Sequence, residues 1–211
     1  MARYTGPVCR MCRAEQRKLM LKGARCTSDK CPLNKKRGAP GKDPKARGGK
    51  KSEYGIQLAE KQKLRRMYGM LEKQFRLTFD RANRMSGVTG ENFIVLLERR
   101  LDNVDYRMHY AVSRNQARQL VGHGHILVNG KAVNIPGYEI KAGDVVEVKE
   151  ASKKLPMVQD ALNEVSKSGT MPWISVDVDA VKGTYTVDPR REEVSDLADI
   201  KEQLVVEFYS K

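Results

Sequence analysis

The chain has 211 residues and 40% hydrophobic content, enough for one or two packed domains and too apolar for a wholly disordered chain. Its 40 Lys and Arg against 26 Asp and Glu give a net charge of +14, a balance that favours a polyanionic partner. The longest apolar run, around Phe93–Leu97, is far below the roughly 20 residues of a membrane span, and the start has no signal-peptide core. No membrane partner and a cytoplasmic location are expected.

The charge is uneven. Residues 1–52 hold 16 Lys and Arg against 3 Asp and Glu, residues 53–150 hold 16 against 12, and residues 151–211 hold 8 against 11. The positive excess therefore lies in the amino-terminal quarter.

All four cysteines fall there too, as Cys9-x2-Cys12 and Cys26-x4-Cys31 joined by 13 residues. Two short-spaced pairs match a closed four-thiolate zinc site, which leaves no open position for catalysis. Four thiolates are also the ligand set of an iron–sulfur cluster, and four incidental thiols are the plainest alternative. In a reducing compartment clustered cysteines read as ligands before disulfides. Arg10, Arg13, Arg17, Lys18, Arg25 and Lys30 surround them and are expected to lower the thiol pKa values.

Residues 1–34 form this module. Residues 35–52 are rich in Lys, Gly and Pro without apolar period and read as a basic linker that orders on a polyanion. Gly49-Lys50 is not a phosphate-binding loop, because Pro44 and Lys51 stand where that motif needs Gly and Ser or Thr. From 53 to about 110 the pattern is helical. Leu64, Met67, Leu71 and Phe75 make one apolar stripe, with Lys61, Lys63, Arg65, Arg66 and Lys73 as a basic outer face. A second helix is expected from Thr89–Glu91, burying Phe93, Leu97, Leu101 and Val104.

Ser113-x-x-Gln116 predicts a capping box opening a short helix that buries Ala117, Leu120 and Val121. Arg114 and Arg118 lie one turn apart on it, a spacing unfavourable in isolation and favourable against phosphate. His123 and His125 flank Gly124 at the turn that follows, without a third metal ligand. Asn129-Gly130 between apolar triplets predicts a hairpin, and Val145–Val148 a further strand. An amphipathic helix over 156–167, a hairpin around Lys182-Gly183 within 172–187, and a strand or extended tail over Leu204–Tyr209 complete the chain. No nucleophile elbow, zinc-protease motif or dinucleotide fingerprint is present.

The run Ser113-Arg114-x-x-Ala117-Arg118-x-Leu120-Val121-x-x-Gly124-x-Ile126-x-Val128-Asn129-Gly130 resembles the RNA-binding module of the small-subunit ribosomal protein four family. Arg3-Tyr4-x-Gly6-Pro7-x-Cys9-Arg10-x-Cys12, Glu60–Gly69, Leu97–Val104, His123–Ile126 and Val206–Ser210 also resemble the zinc-bearing bacterial form, so the likeness covers essentially the whole chain.

The resemblance implies a non-enzymatic protein that binds 16S rRNA early, at a junction in its 5′ domain, and nucleates assembly of the subunit body. It implies contact with ribosomal protein five that affects decoding accuracy. With proteins three and five it implies a place beside messenger RNA where that strand enters the subunit. It carries one structural zinc ion to Cys9, Cys12, Cys26 and Cys31. RNA-contact candidates are Arg3, Arg10, Arg13, Lys35, Lys36, Arg37, Lys45, Arg47, Lys50, Lys51, Lys61, Lys63, Arg65, Arg66, Arg114, Gln116, Arg118, His123, His125 and Lys131.

The expected fold is α+β: a zinc module (1–34), a linker (35–52), a helical domain from 53–98 and 166–211 ending in a hairpin and tail, and an inserted RNA-binding module (99–165). No small-molecule substrate is expected. The rivals are an RNA-modifying enzyme anchored by the same module, for which the residues after 165 are too few, and a DNA-binding zinc finger, whose histidine pair is missing.

Overall fold

The computed structural model describes residues 4–41, 50 and 52–210. The chain folds as two compact units, Met1–Gly90 with Asp196–Lys211, and Glu91–Ser195. No helix of the described residues is long and apolar enough to cross a membrane.

The first unit opens with α1 (Cys9–Glu15) and a 3-10 turn (Gly23–Cys26). Its body is α2 (Glu53–Met67), α3 (Glu72–Arg84) and, from the chain end, α9 (Glu202–Tyr209). Ser52 caps α2 by accepting the Gly55 N–H at 3.2 Å. The expected continuous stripe breaks at Gly69, whose φ of +61° turns the chain before α3. Leu64, Met67 and Phe75 are buried, but Leu71 lies in the break and is exposed.

The tail expected as strand is helix α9, packed along α2. Its β-branched run favours strand locally, but the described first unit has no strand edge to pair with. A helix instead buries Val205 and sets Tyr209 against Phe79, at 4.8 Å between ring centroids.

The second unit takes most of α4 (Thr89–Glu98), then α5 (Leu101–Arg107), α6 (Arg114–Gly122), α7 (Glu150–Lys153) and α8 (Pro156–Ser168). They accompany a five-stranded antiparallel sheet in the order β2-β1-β3-β5-β4. The strands are β1 (Ile126–Val128), β2 (Lys131–Ala132), β3 (Val145–Val148), β4 (Ile174–Asp177) and β5 (Lys182–Tyr185). Ile126 opposes Val148 and Val128 opposes Val146, and these four side chains are buried. Asn129 and Gly130 turn β1 into β2 with φ of +50° and +76°, as a tight hairpin demands.

Three expectations about this region are corrected. The helix over 89–104 is two helices with Arg99 and Arg100 between them, although Phe93, Leu97, Leu101 and Val104 are all buried as expected. The late hairpin turns at 178–181, where Asp177 Oδ1 accepts the N–H groups of Asp179 and Ala180, and Lys182-Gly183 lies within β5. That hairpin does not join the helical domain. β5 pairs with β3, Val146 facing Gly183, and Trp173, Ile174 and Tyr185 are buried in the second unit. A lone hairpin is marginal in water, whereas the open β3 edge offers a ladder. The packing at Gly183 is close: a Cβ would stand 2.8 Å from Met108 Sδ and 3.1 Å from the Ser175 carbonyl oxygen.

Glu98 holds α4 to α5. Its side chain is 0% exposed and accepts two bonds from Arg107, both at 3.0 Å, and one from Asn103 Nδ2 at 2.8 Å. Removing one partner of such a pair strands a buried charge. Arg107→Met is expected to lower stability by about 3–5 kcal/mol, read by urea unfolding on the fluorescence of Trp173, the single tryptophan and itself in this unit.

Candidate nucleic-acid interface and cysteine cluster

In the first unit, Cys9 and Cys12 sit on α1, Cys26 on the 3-10 turn and Cys31 just beyond it. All four line one small cavity with Lys22, Arg25 and Pro32. Cys12, Cys26 and Cys31 are buried, Cys9 is half-buried, and none forms a disulfide. The Lys22 N–H points at Cys26 Sγ from 3.4 Å, the kind of donor that steadies a thiolate. Among the described residues no group of three or more His, Cys, Asp or Glu stands in metal-binding geometry. The donor set fits a soft divalent ion chemically: four thiols, no competing carboxylate in the lining.

The expectation that nearby cations lower the thiols is corrected at Cys12. Burial pushes that thiol up, a backbone hydrogen bond at Leu19 opposes it, and the charges of Cys26, Cys9 and Cys31 push it further up.

Arg10, Lys35, Lys36, Arg37 and Lys50 are exposed. Arg13 is half-buried and donates from Nε to the Gly38 carbonyl at 2.7 Å. Arg3, Lys45, Arg47 and Lys51 lie outside the described residues.

The basic outer face expected of α2 is turned to internal use. Lys61 is 5% exposed, bonds Glu72 at 2.5 Å and stands 4.8 Å from the Phe208 ring centroid. Burial acts to raise the Glu72 carboxyl, but hydrogen bonds from Lys61 and Tyr209 and the charges of Lys61 and Arg65 outweigh it, and the net shift is downward. Lys63 pairs with Glu60, Arg66 with Glu15, and Arg65 donates to Gln62 at 2.9 Å. Spacing along α2 shows the Lys63–Glu60 pair, three residues apart, but cannot reveal Glu15 and Glu72, which arrive from α1 and α3. Of the expected face Lys73 is exposed, and α3 adds the exposed Arg76, Arg81 and Arg84. Spacing on one polar helix face is the sequence signal for Arg76 and Arg84.

In the second unit, Ser113 Oγ accepts the Gln116 N–H at 3.4 Å, capping α6 as expected. Gln116 reaches back to the Val112 N–H at 2.9 Å, one residue before the one a capping box specifies. Arg114 does not stand on a polar face. It is 7% exposed, donates from Nε to Asn103 Oδ1 at 2.8 Å and lies over the Tyr106 ring at 4.6 Å. Arg118 donates to Asp102 Oδ2 at 2.9 Å, and Arg100 holds the same carboxylate. Both arginines therefore orient α6 against α5.

His123 is exposed and His125 half-buried, with ring centroids 6.0 Å apart. His125 Nδ1 hydrogen-bonds Ser152 Oγ at 2.8 Å, and burial, then the charges of His123 and Lys149, lower its pKa. Lys131 is exposed on β2. What this unit can present to a phosphate backbone is thus the α6-to-β1 turn and the β1–β2 hairpin, on a frame fixed by buried arginines.

Arg114→Ala is expected to destabilise the Glu91–Ser195 unit by about 1–3 kcal/mol, because it leaves Asn103 without its donor. Lys131→Ala is expected to stay within about 0.5 kcal/mol of the parent. Parallel urea titrations on Trp173 check both; equal midpoints would show that Arg114 is not part of the frame.

Residues 3–98 match the model of the "Ribosomal protein S4/S9 N-terminal domain" and residues 99–146 that of the "S4 domain". Small ribosomal subunit protein uS4 of Syntrophotalea carbinolica is 54% identical over 211 residues, covering 100% of both chains. The proteins of that name from Pelobacter propionicus and Citrifermentans bemidjiense are 53% and 52% identical, again over the whole of both chains. The chain belongs to the small ribosomal subunit protein uS4 family.

Proposed function

We propose that this chain is a structural, non-enzymatic constituent of the small ribosomal subunit that binds 16S rRNA directly and works in the cytoplasm. The observation that carries this is the end-to-end match, over 211 residues, to relatives that bear the small-subunit name. The physics agrees. Folded rRNA offers phosphate-dense surfaces and little readable groove, so recognition relies on shape and backbone contact. A rigid frame carrying exposed cations suits that task, and a net charge of +14 suits the partner.

The finer reading follows the motif likeness. The chain binds at a junction in the 5′ domain and nucleates the subunit body. It meets ribosomal protein five at a surface that influences accuracy, and with proteins five and three it borders messenger RNA where that strand enters the subunit. Contacts to RNA fall to Arg10, Lys35, Lys36, Arg37, Lys50, His123 and Lys131, which are exposed, and to Lys73, Arg76 and Arg84 on α3. A structural zinc ion at Cys9, Cys12, Cys26 and Cys31 completes the proposal. What supports it is four thiols on one cavity in a segment too small to bury a core of its own. When bound, the ion ties the two cysteine pairs together; an iron–sulfur cluster is the competing occupant.

Crosslinking in cells followed by sequencing tests the partner. Reads concentrated in the 5′ domain of 16S rRNA are expected; reads spread over tRNA or other transcripts would favour a modifying or regulatory protein. In vitro, replacing Lys35, Lys36 and Arg37 by Ala is expected to weaken binding and flatten the log–log salt slope by about 2, at roughly 0.7 per phosphate. An unchanged slope would remove them from the interface. For the metal, native mass spectrometry is expected to find one zinc ion per chain, with chelation exposing residues 1–34 to protease. A visible absorption band would point to iron–sulfur, and a metal-free mass with unchanged proteolysis would remove the ion from the proposal.

A further inference from the structure

Asp105 on α5 is an anomaly within the second unit. Its relative exposure is 0%, and both carboxylate oxygens lack any hydrogen-bond partner among the described residues. Its neighbours along the helix and just after it, Leu101, Val104, Met108 and Tyr110, are all buried at 0%. An ionised carboxylate so placed meets the full penalty of desolvation, and burial without a partner is resolved by protonation.

No neighbour relieves it. On its own helix Asp102 faces it as a like charge, already bound by Arg100 and Arg118. From α6, Arg114 is committed to Asn103 and Arg118 to Asp102. Tyr110 lies close, donates its O–H to the Val146 carbonyl at 3.3 Å, and is flanked by Glu147 of β3 and Asp177 of β4, again acids. Burial first, and the charge of Asp102 second, push the Asp105 carboxyl well above the ordinary carboxylate value.

We propose that Asp105 is carried as the neutral acid and forms a pH-sensitive weak point that loosens the Glu91–Ser195 unit as pH rises. The direction follows from proton linkage. The folded unit keeps a proton that the unfolded chain releases near pH 4. The stabilisation is fully present below that value and falls as pH rises, until the folded unit also loses the proton. Because α5 holds α6 through Asn103 and Asp102, opening at Asp105 releases the helix that carries Arg114 and Arg118. A ligand bound only to the folded unit opposes that opening by mass action.

The test is urea unfolding of the full chain, followed on Trp173, from pH 5 to pH 8 for the parent, Asp105→Asn and Asp105→Val. The ratio of the parent's unfolding constant to each variant's is expected to rise about tenfold per pH unit across the lower part of that range. Other titrating groups cancel in the ratio. A ratio independent of pH would overturn the proposal. Should both variants fail to fold, the carbon-13 shift of the parent's Asp105 carboxyl decides: a protonated shift held through pH 6 upholds the proposal, and a titration centred near pH 4 ends it.

Discussion

The guanidinium of Arg107 and the side-chain amide of Asn103 converge on Glu98, a carboxylate that water does not reach. Such a pair adds little net stability over apolar residues of the same size, yet its loss is severe, so it acts mainly as a constraint on geometry. Asn103 passes that constraint on: its amide N–H₂ faces Glu98 and its carbonyl oxygen takes the Arg114 side chain. Asp102, the residue before it, ties Arg100 and Arg118 together. Through two adjacent residues of α5, the direction of α4 is thereby transmitted to α6 and the turn that follows it.

This frame changes how the positive charge should be read. On α2 and α6 the cations that look available to phosphate are engaged with Glu15, Glu60, Glu72 and Asp102 or with Asn103. They set the position of helices. The cations left at the surface include those of the cysteine-rich segment, of α3 and of the hairpin at Lys131. In the proposed complex, exposed lysines would release counterions from RNA, and buried arginines would keep the surface stiff, so that less entropy is lost on binding.

Much was legible locally. The Ser113 cap, the Asn129-Gly130 turn and the helix over 156–168 each depend on residues a few positions apart, and each appears where the spacing indicated. The misreadings share one cause. Leu204–Tyr209 has strand propensity but packs as a helix along α2, burying Val205, and the described first unit has no strand to pair with. The hairpin near 180 falls in the second unit because its partner, β3, lies some 40 residues earlier in the chain, beyond the reach of local pattern. Arg114 is buried for a related reason: Asn103 and Tyr106 reach it from a different helix.

The sequence alone determined the mixed α and β class, the two short-spaced cysteine pairs, the concentration of charge in the first 52 residues and the family to which the chain belongs. These depend on periodicity, short spacings and composition, all of which act over a few residues or none. The tertiary structure decided which cations face solvent, where the late hairpin pairs, and that Asp105 is sealed in without a partner. Those outcomes depend on which distant groups arrive within about 3 Å of one another, and hydrogen bonding and desolvation are governed by that distance rather than by position along the chain.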